Sequence, residues 1–342
     1  MSLDPDARLV LDMIKAAGRP PFEQLTPDEA RQAYMNSRRL LQPLAEDVAE
    51  ARDTDVPGPH GPVPVRLYRP AGTGEADILP AMIYYHGGGW LLGGLDSHDV
   101  VCRRFANAAK CRVVSVDYRM APEHQFPAAV DDCEAVTRWA VANAGTLGID
   151  PDKIAVGGDS AGGNLAAVMA LMARDGTLPP IVFQLLIYPA TDMMMTSVSS
   201  QSIRDGVPLT SSTMKWFIDH YMPSAAEGLD WRASPARATS LAGTAQALVL
   251  TCGYDPLRDE GIAYAQRLER EGVRVIQMHY SDQVHGFMSM GRMIRAADQV
   301  IEVGPEPGSR GGRIVFQGSV NELLQSPDSL TGAYFSGREH IN

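Results

Sequence analysis

Gly158-Asp159-Ser160-Ala161-Gly162 is the stretch on which the reading of this chain turns. Before it, Lys153-Ile154-Ala155-Val156-Gly157 is short, apolar and β-branched, as a buried strand requires. After it, residues 164–174 are rich in Ala, Leu and Met, as a helix requires. A strand that turns into a helix within so few residues strains the serine backbone and crowds its neighbours. Small residues two positions to either side relieve that crowding, and glycine fills both positions. A lone G-x-S-x-G arises readily by chance in a chain with 32 glycines; the strand–turn–helix setting is what gives this one weight.

The surrounding pattern alternates. Apolar β-type runs at 63–68, 81–85, 112–116, 153–156, 182–188, 247–251 and 274–279 are separated in most cases by helix-type runs at 100–109, 128–143, 165–173 and 261–271. Such alternation predicts an α/β fold: a mostly parallel sheet covered by helices on both faces. The first fifty residues read as helical, with one helix near 7–17 and a second opening at Thr26-Pro27, threonine as N-cap and proline at the first helical position. Residues 190–243, Met-rich and then Ser-rich with Trp216, Tyr221 and Trp231, break the rhythm and read as an insertion between core strands.

Composition narrows the function classes. At 342 residues, 45% hydrophobic and 21% charged, the chain can bury a sizeable core. Its net charge of −11 disfavours nucleic-acid backbones. No apolar run is long enough to span a bilayer. The acidic start, Met1-Ser2-Leu3-Asp4-Pro5-Asp6, lacks the basic and apolar regions of a signal peptide, which points to the cytoplasm. Cys102, Cys111, Cys133 and Cys252 are isolated and read as buried small hydrophobes rather than a disulfide frame or metal site.

A serine hydroxyl becomes a good nucleophile when a base takes its proton and a carboxylate orients that base. Where the serine sits on a G-x-S-x-G elbow of this kind, the order along the chain is serine, acid, histidine. Asp255 follows the run 247–251 by a short loop, 95 residues after Ser160 (255 − 160), and His285 follows 30 residues later (285 − 255). Both fall past strand ends, where ligands of such sheets bind. Asp259, one turn into the next helix, and Asp192, after another strand, are rival acids. His279 sits inside a strand, and His60, His124 and His220 fit no triad order. A third element, His86-Gly87-Gly88-Gly89-Trp90, follows the run 81–85. Amides of Gly88 and Gly89, with that of Ala161, would meet the oxyanion of a tetrahedral intermediate. His86 and Gly87 would support the loop. A phosphate-binding reading of these glycines is weak, since no Lys-Ser/Thr follows and no G-x-G-x-x-G helix start is present.

Together with Asp117-Tyr118-Arg119-Met120-Ala121-Pro122-Glu123, Gly163-Asn164, Tyr188-Pro189, Asp255-Pro256-Leu257-Arg258-Asp259-Glu260 and His285-Gly286-Phe287, these motifs resemble the hormone-sensitive-lipase-like family of bacterial carboxylesterases. The resemblance runs from about residue 5 to 300, and Asp159 places it with the GDSAG branch. It implies an α/β-hydrolase fold, with cap helices in 1–50, a catalytic domain over 51–303, a cap insertion at about 190–243 and a last helix from about Met290 to Glu302. It also implies hydrolysis of short-chain acyl esters, a small-molecule substrate, no cofactor, and often a homodimer. A hydrolase-fold binding module lacking catalysis and a long-chain lipase are the competing readings. The tail 304–342, with its Gly/Pro-rich start and Pro327-Asp328-Ser329-Leu330-Thr331-Gly332, resembles instead a C-terminal fragment of the UvrA-type excision-repair ABC ATPase. Without a Walker A lysine or zinc ligands, no ATPase or DNA activity is expected of it.

Overall fold

Alternate residues of one strand, β3 (Leu79–Tyr85), show how the architecture is built. Ala81, Ile83 and Tyr85 enter one apolar cluster, and Met82 and Tyr84 enter another on the opposite side. A strand buried on both faces needs helices above and below it. The computed structural model describes residues 2–303 and 314–319 and supplies that arrangement.

In chain order, α1 (Pro5–Ala16) and α2 (Pro27–Leu41) precede a hairpin of β1 (Glu50–Gly58) and β2 (Gly61–Arg69). After β3 come α3 (Leu95–Ala109), β4 (Arg112–Val116), α4 (Ala128–Ala142), the single turn α5 (Ala144–Leu147), β5 (Ile149–Asp159) and α6 (Ala161–Arg174). Next are β6 (Phe183–Ile187), the short α7 (Val198–Ser202), α8 (Ser211–Tyr221), β7 (Gln246–Tyr254), α9 (Arg258–Arg270) and β8 (Val275–Val284). The eight strands lie in the order β1-β2-β4-β3-β5-β6-β7-β8. β1 and β2 pair antiparallel, as do β2 and β4; every other neighbour is parallel. The α/β-hydrolase architecture with a mostly parallel sheet is therefore present.

Local chemistry explains several boundaries. Thr26 caps α2 through a reciprocal box with Glu29, and Pro27 occupies its first turn. Asp4 caps α1 through the amides of Asp6 and Ala7. Three sequence expectations need correction. β1 was not anticipated: Val56 alone of its residues is buried, so the apolar signal is faint, and the strand forms by pairing with β2. β8 does not stop near His279 but continues to Val284, which delivers His285 directly at its end. The expected helix from Met290 to 302 is absent. Single 3₁₀ turns at Phe287–Ser289 and Arg295–Asp298 lead into β9 (Gln299–Val303), which pairs antiparallel with β10 (Ile314–Ser319). Val300, Ile301 and Val303 are β-branched and suit a strand better than a helix. The rest of the tail, 304–313 and 320–342, with the stretch that carries its resemblance, lies outside the described residues.

Candidate active site

Ser160 sits between β5 and α6 at φ 58°, ψ −116°, a conformation that costs a non-glycine residue on the order of 1–3 kcal/mol. The flanking glycines are required by close approach. A Cβ on Gly162 would lie 1.8 Å from the carbonyl oxygen of Tyr85, and one on Gly158 would lie 2.4 Å from the same atom. The end of β3 thus presses against the elbow and leaves no room for a side chain there. Ser160 is held in place by its amide donating to Ile187 O at 2.8 Å and its carbonyl accepting from Asn164 N at 3.0 Å.

The three residues expected to act together are brought together. His285 Nε2 lies 3.0 Å from Ser160 Oγ, and His285 Nδ1 lies 2.7 Å from Asp255 Oδ2. Asp255 is fully buried, and its other oxygen accepts from Leu257 N at 2.9 Å. A carboxylate oxygen at Nδ1 favours the tautomer with the proton there, so that Nε2 presents its lone pair to the serine. Tyr188 flanks the imidazole, ring centroids 4.5 Å apart. The rival acids are engaged elsewhere. Asp259 accepts from Ser199 N and pairs with Arg258, and Asp192 pairs with Arg237. Burial opposes ionisation of both, yet these partners hold both carboxyls below the usual range. His279 bonds Thr251 through Nδ1, away from the serine.

The glycine loop after β3 lies beside the elbow. Gly88 takes φ 127° and Gly89 φ 61°, where only glycine is at ease. Ala161 opens α6, so its amide is among the helix's unpaired first N–H groups. His86 is fully buried, stacked on Tyr118 at 4.3 Å, with Nδ1 2.9 Å from Gly87 O. Burial, aided by nearby His98, pushes the His86 imidazole down to about 3, so it stays neutral and serves as support rather than base. The amide of Gly87 donates to Asp159 Oδ1 at 2.9 Å.

Two helices pack against this region. From α2, Arg31 pairs with Glu123 at 2.5 Å and donates to the carbonyls of Leu91 and Ala121, and Arg38 reaches Ser289 in the histidine loop. From α8, Phe217 packs so closely on Gly89 that a Cβ there would meet its ring at 2.3 Å, and Tyr221 stacks on Trp90 at 4.6 Å. Sequence reasoning missed Phe217, Arg31 and His98, whose partners lie far along the chain. Asp159 and Tyr118 were in quoted motifs, but nothing local announced their contacts. No group of three or more metal-ligating side chains occurs among the described residues.

Comparison with known proteins agrees with this geometry. A family model described as alpha/beta hydrolase fold matches residues 82–289. The carboxylic ester hydrolase LipN of Mycobacterium tuberculosis is 40% identical over 84% of this chain and 78% of its own length. The ethyl acetate hydrolase of Pseudomonas putida is 39% identical over 87% of this chain and 96% of its own. Among solved structures, ester-hydrolase EH1AB1 from the metagenome of Lake Arreo, complexed with a bipyridine phosphonate derivative, superposes with a TM-score of 0.82 at 43% identity, covering 86% of this chain and 94% of its own. With a strained serine elbow at the end of a central parallel strand and matches of this extent, the chain belongs to the α/β-hydrolase family.

Proposed function

We propose that this chain is a serine carboxylesterase that hydrolyses short-chain acyl esters through an acyl-enzyme intermediate. The observation that carries the reading is the continuous chain Ser160 Oγ–His285 Nε2 at 3.0 Å and His285 Nδ1–Asp255 Oδ2 at 2.7 Å. Ser160 attacks the ester carbonyl while His285 takes its proton. Asp255 holds the ring and stabilises the imidazolium that forms. The amides of Gly88, Gly89 and Ala161 receive the oxyanion, each such donor typically adding about 10²–10³ in turnover. His285 then protonates the leaving alcohol, and a water activated by the same imidazole releases the acid. The named activities of the relatives, carboxylic ester and ethyl acetate hydrolysis, support an ester with small groups.

The finer assignments belong to the same reading. Asp159 places the chain with the GDSAG branch. Residues 1–50 and about 190–243 form the cap over a catalytic domain spanning 51–303. Phe217 over Gly89 supports a short acyl slot. The enzyme acts in the cytoplasm, in keeping with four free cysteines, and assembles as a homodimer. The tail 304–342 is an appendage without ATPase or DNA activity. A chain ending at Val303 should keep its turnover, and its melting temperature should report the loss of β10 from β9.

A panel of p-nitrophenyl esters from acetyl to palmitoyl tests the assignment. Efficiency should rise by up to about fourfold per added methylene, the worth of ~0.8 kcal/mol of burial, until the slot is full and then fall. Faster cleavage of the palmitoyl than the butyryl ester would replace the esterase reading with a long-chain lipase.

A further inference from the structure

One peptide unit of the glycine loop, the one joining His86 to Gly87, is gripped at both ends. Its carbonyl accepts from the Tyr118 hydroxyl at 2.7 Å, and its N–H donates to Asp159 Oδ1 at 2.9 Å. Tyr118 and Asp159 are both buried. Burial raises the Tyr118 phenol well above its ordinary range, so it remains a donor. Burial works against the Asp159 charge, but His98 and Tyr84 outweigh it and keep the carboxyl ionised, an acceptor. Because a peptide unit is planar, oppositely directed hydrogen bonds at its two ends fix its rotation about the chain. The two residues that follow, Gly88 and Gly89, have no side chain to fix their own torsions, and glycine is soft in the region they occupy. Their amides therefore take their aim from neighbouring constraints. On the far side, Leu91 and Leu92 amides hold Gly88 O; on the near side, the gripped peptide does the work.

We propose that Asp159 and Tyr118 are positioning residues that clamp the His86–Gly87 peptide and so aim the oxyanion-binding amides. The proposal rests on the reading of Gly88, Gly89 and Ala161 as oxyanion donors. Asp159 is also the residue immediately before the nucleophile, so one short stretch of backbone carries both the attacking atom and the aim of the groups that receive the charge. Further bonds hold the Asp159 carboxylate still: Tyr84 donates to Oδ1 at 2.7 Å, and His98 Nε2 approaches at 3.2 Å. A Cβ at Gly87 would sit 2.3 Å from Asp159 Oδ2, so the loop lies directly against the carboxylate.

The test compares Tyr118→Phe, Asp159→Ala and Asp159→Asn with the full wild-type chain, with active sites counted by a fluorophosphonate. Turnover of p-nitrophenyl butyrate is measured alongside inhibition by a trifluoromethyl ketone of the same chain length, whose hemiketal oxyanion occupies the same amides. Tyr118→Phe keeps the stack on His86 and loses only the hydroxyl. It and Asp159→Ala should lower kcat about 10–100-fold with KM within about threefold, because the interaction is made in the transition state. Ketone inhibition should weaken by a similar factor. Asp159→Asn retains a carbonyl acceptor for the Gly87 amide and should stay within about fivefold of wild type. A purely structural role would move the melting temperature and leave kcat per counted site alone. Failure of the wild-type enzyme to bind the ketone would overturn the oxyanion reading itself. Tight ketone binding by wild type that survives in both disrupting variants, or an unchanged kcat in Tyr118→Phe, would overturn the clamp alone, even if Asp159→Ala failed to fold.

Discussion

Two serine–histidine–aspartate chains run through this molecule, and they differ in what their serines can reach. In one, Ser160 Oγ meets His285 Nε2, and Asp255 takes Nδ1. In the other, Ser97 Oγ meets His98 Nδ1 at 2.8 Å, and Asp159 lies 3.2 Å from Nε2, so the ring is turned end for end. Ser97 is fully buried in the first turn of α3, and its hydroxyl also lies 2.9 Å from Gly94 O. Its one proton can serve the carbonyl or the ring, and the side chain itself has no contact with solvent. Ser160 stands on a strained turn beside unpaired amides and a loop of glycines. On the proposed reading, the same three side-chain types make chemistry in one place and stiffness in the other. Backbone setting and access decide between them, not the residue list.

Substituting each serine in turn breaks the comparison most sharply. Ser160→Ala should lose about 10⁴-fold or more of ester turnover with its melting temperature little changed. Ser97→Ala should stay within about fivefold in turnover, measured in the same assay. Comparable losses from both would mean that the two chains are not distinct in role. Acidification comes next. A protonated His285 can no longer accept a proton from Ser160, so turnover should fall on acidification, read as a pH–rate profile of p-nitrophenyl butyrate cleavage. A flat profile down to pH 4 would remove His285 as the base.

The smallest effect concerns a third buried carboxyl, Glu260, which takes part in neither chain. Its Oε1 accepts from the amides of Thr191 at 2.6 Å and Asp192 at 3.3 Å, where the 190–243 insertion leaves the sheet. Burial pushes its pKa up to about 8. Between the ordinary carboxylate value and about 8, the folded chain holds a proton that the unfolded chain has released, so stability falls as pH rises through that window. Glu260→Gln escapes this loss. Its stability relative to wild type should be level near pH 4 and should climb steadily as pH rises to 8, read as a growing difference in melting temperature. A gap that does not change with pH would show that Glu260 is not charged at the cost of folding.

The elbow was legible because its signal is local: strand, small residues, serine and helix lie within one short window. Asp255 and His285 were legible from order along the chain and their places after strands. Asp159 was visible as a letter in the motif, but its work depends on Gly87 and Tyr84, 72 and 75 residues away, and no periodicity records such a meeting. Phe217 gave no sign either, since an aromatic on an amphipathic helix reads as ordinary core. β1 was hidden by its exposed polar residues, and the stretch after Met290 was misread because a family expectation of a helix outweighed the β-branched residues at 300, 301 and 303.

The fit of Phe217 against Gly89 has a bearing on engineering. Grafting the 190–243 insertion from a relative to alter substrate range treats that segment as a module. Here the module touches the glycine loop, where the Phe217 ring fills the space that a Cβ on Gly89 would occupy. A graft that brings a small residue to position 217 empties the space beside Gly89 and removes a contact that holds the loop in place. Library design on this scaffold should therefore hold position 217 aromatic and vary the residues around it.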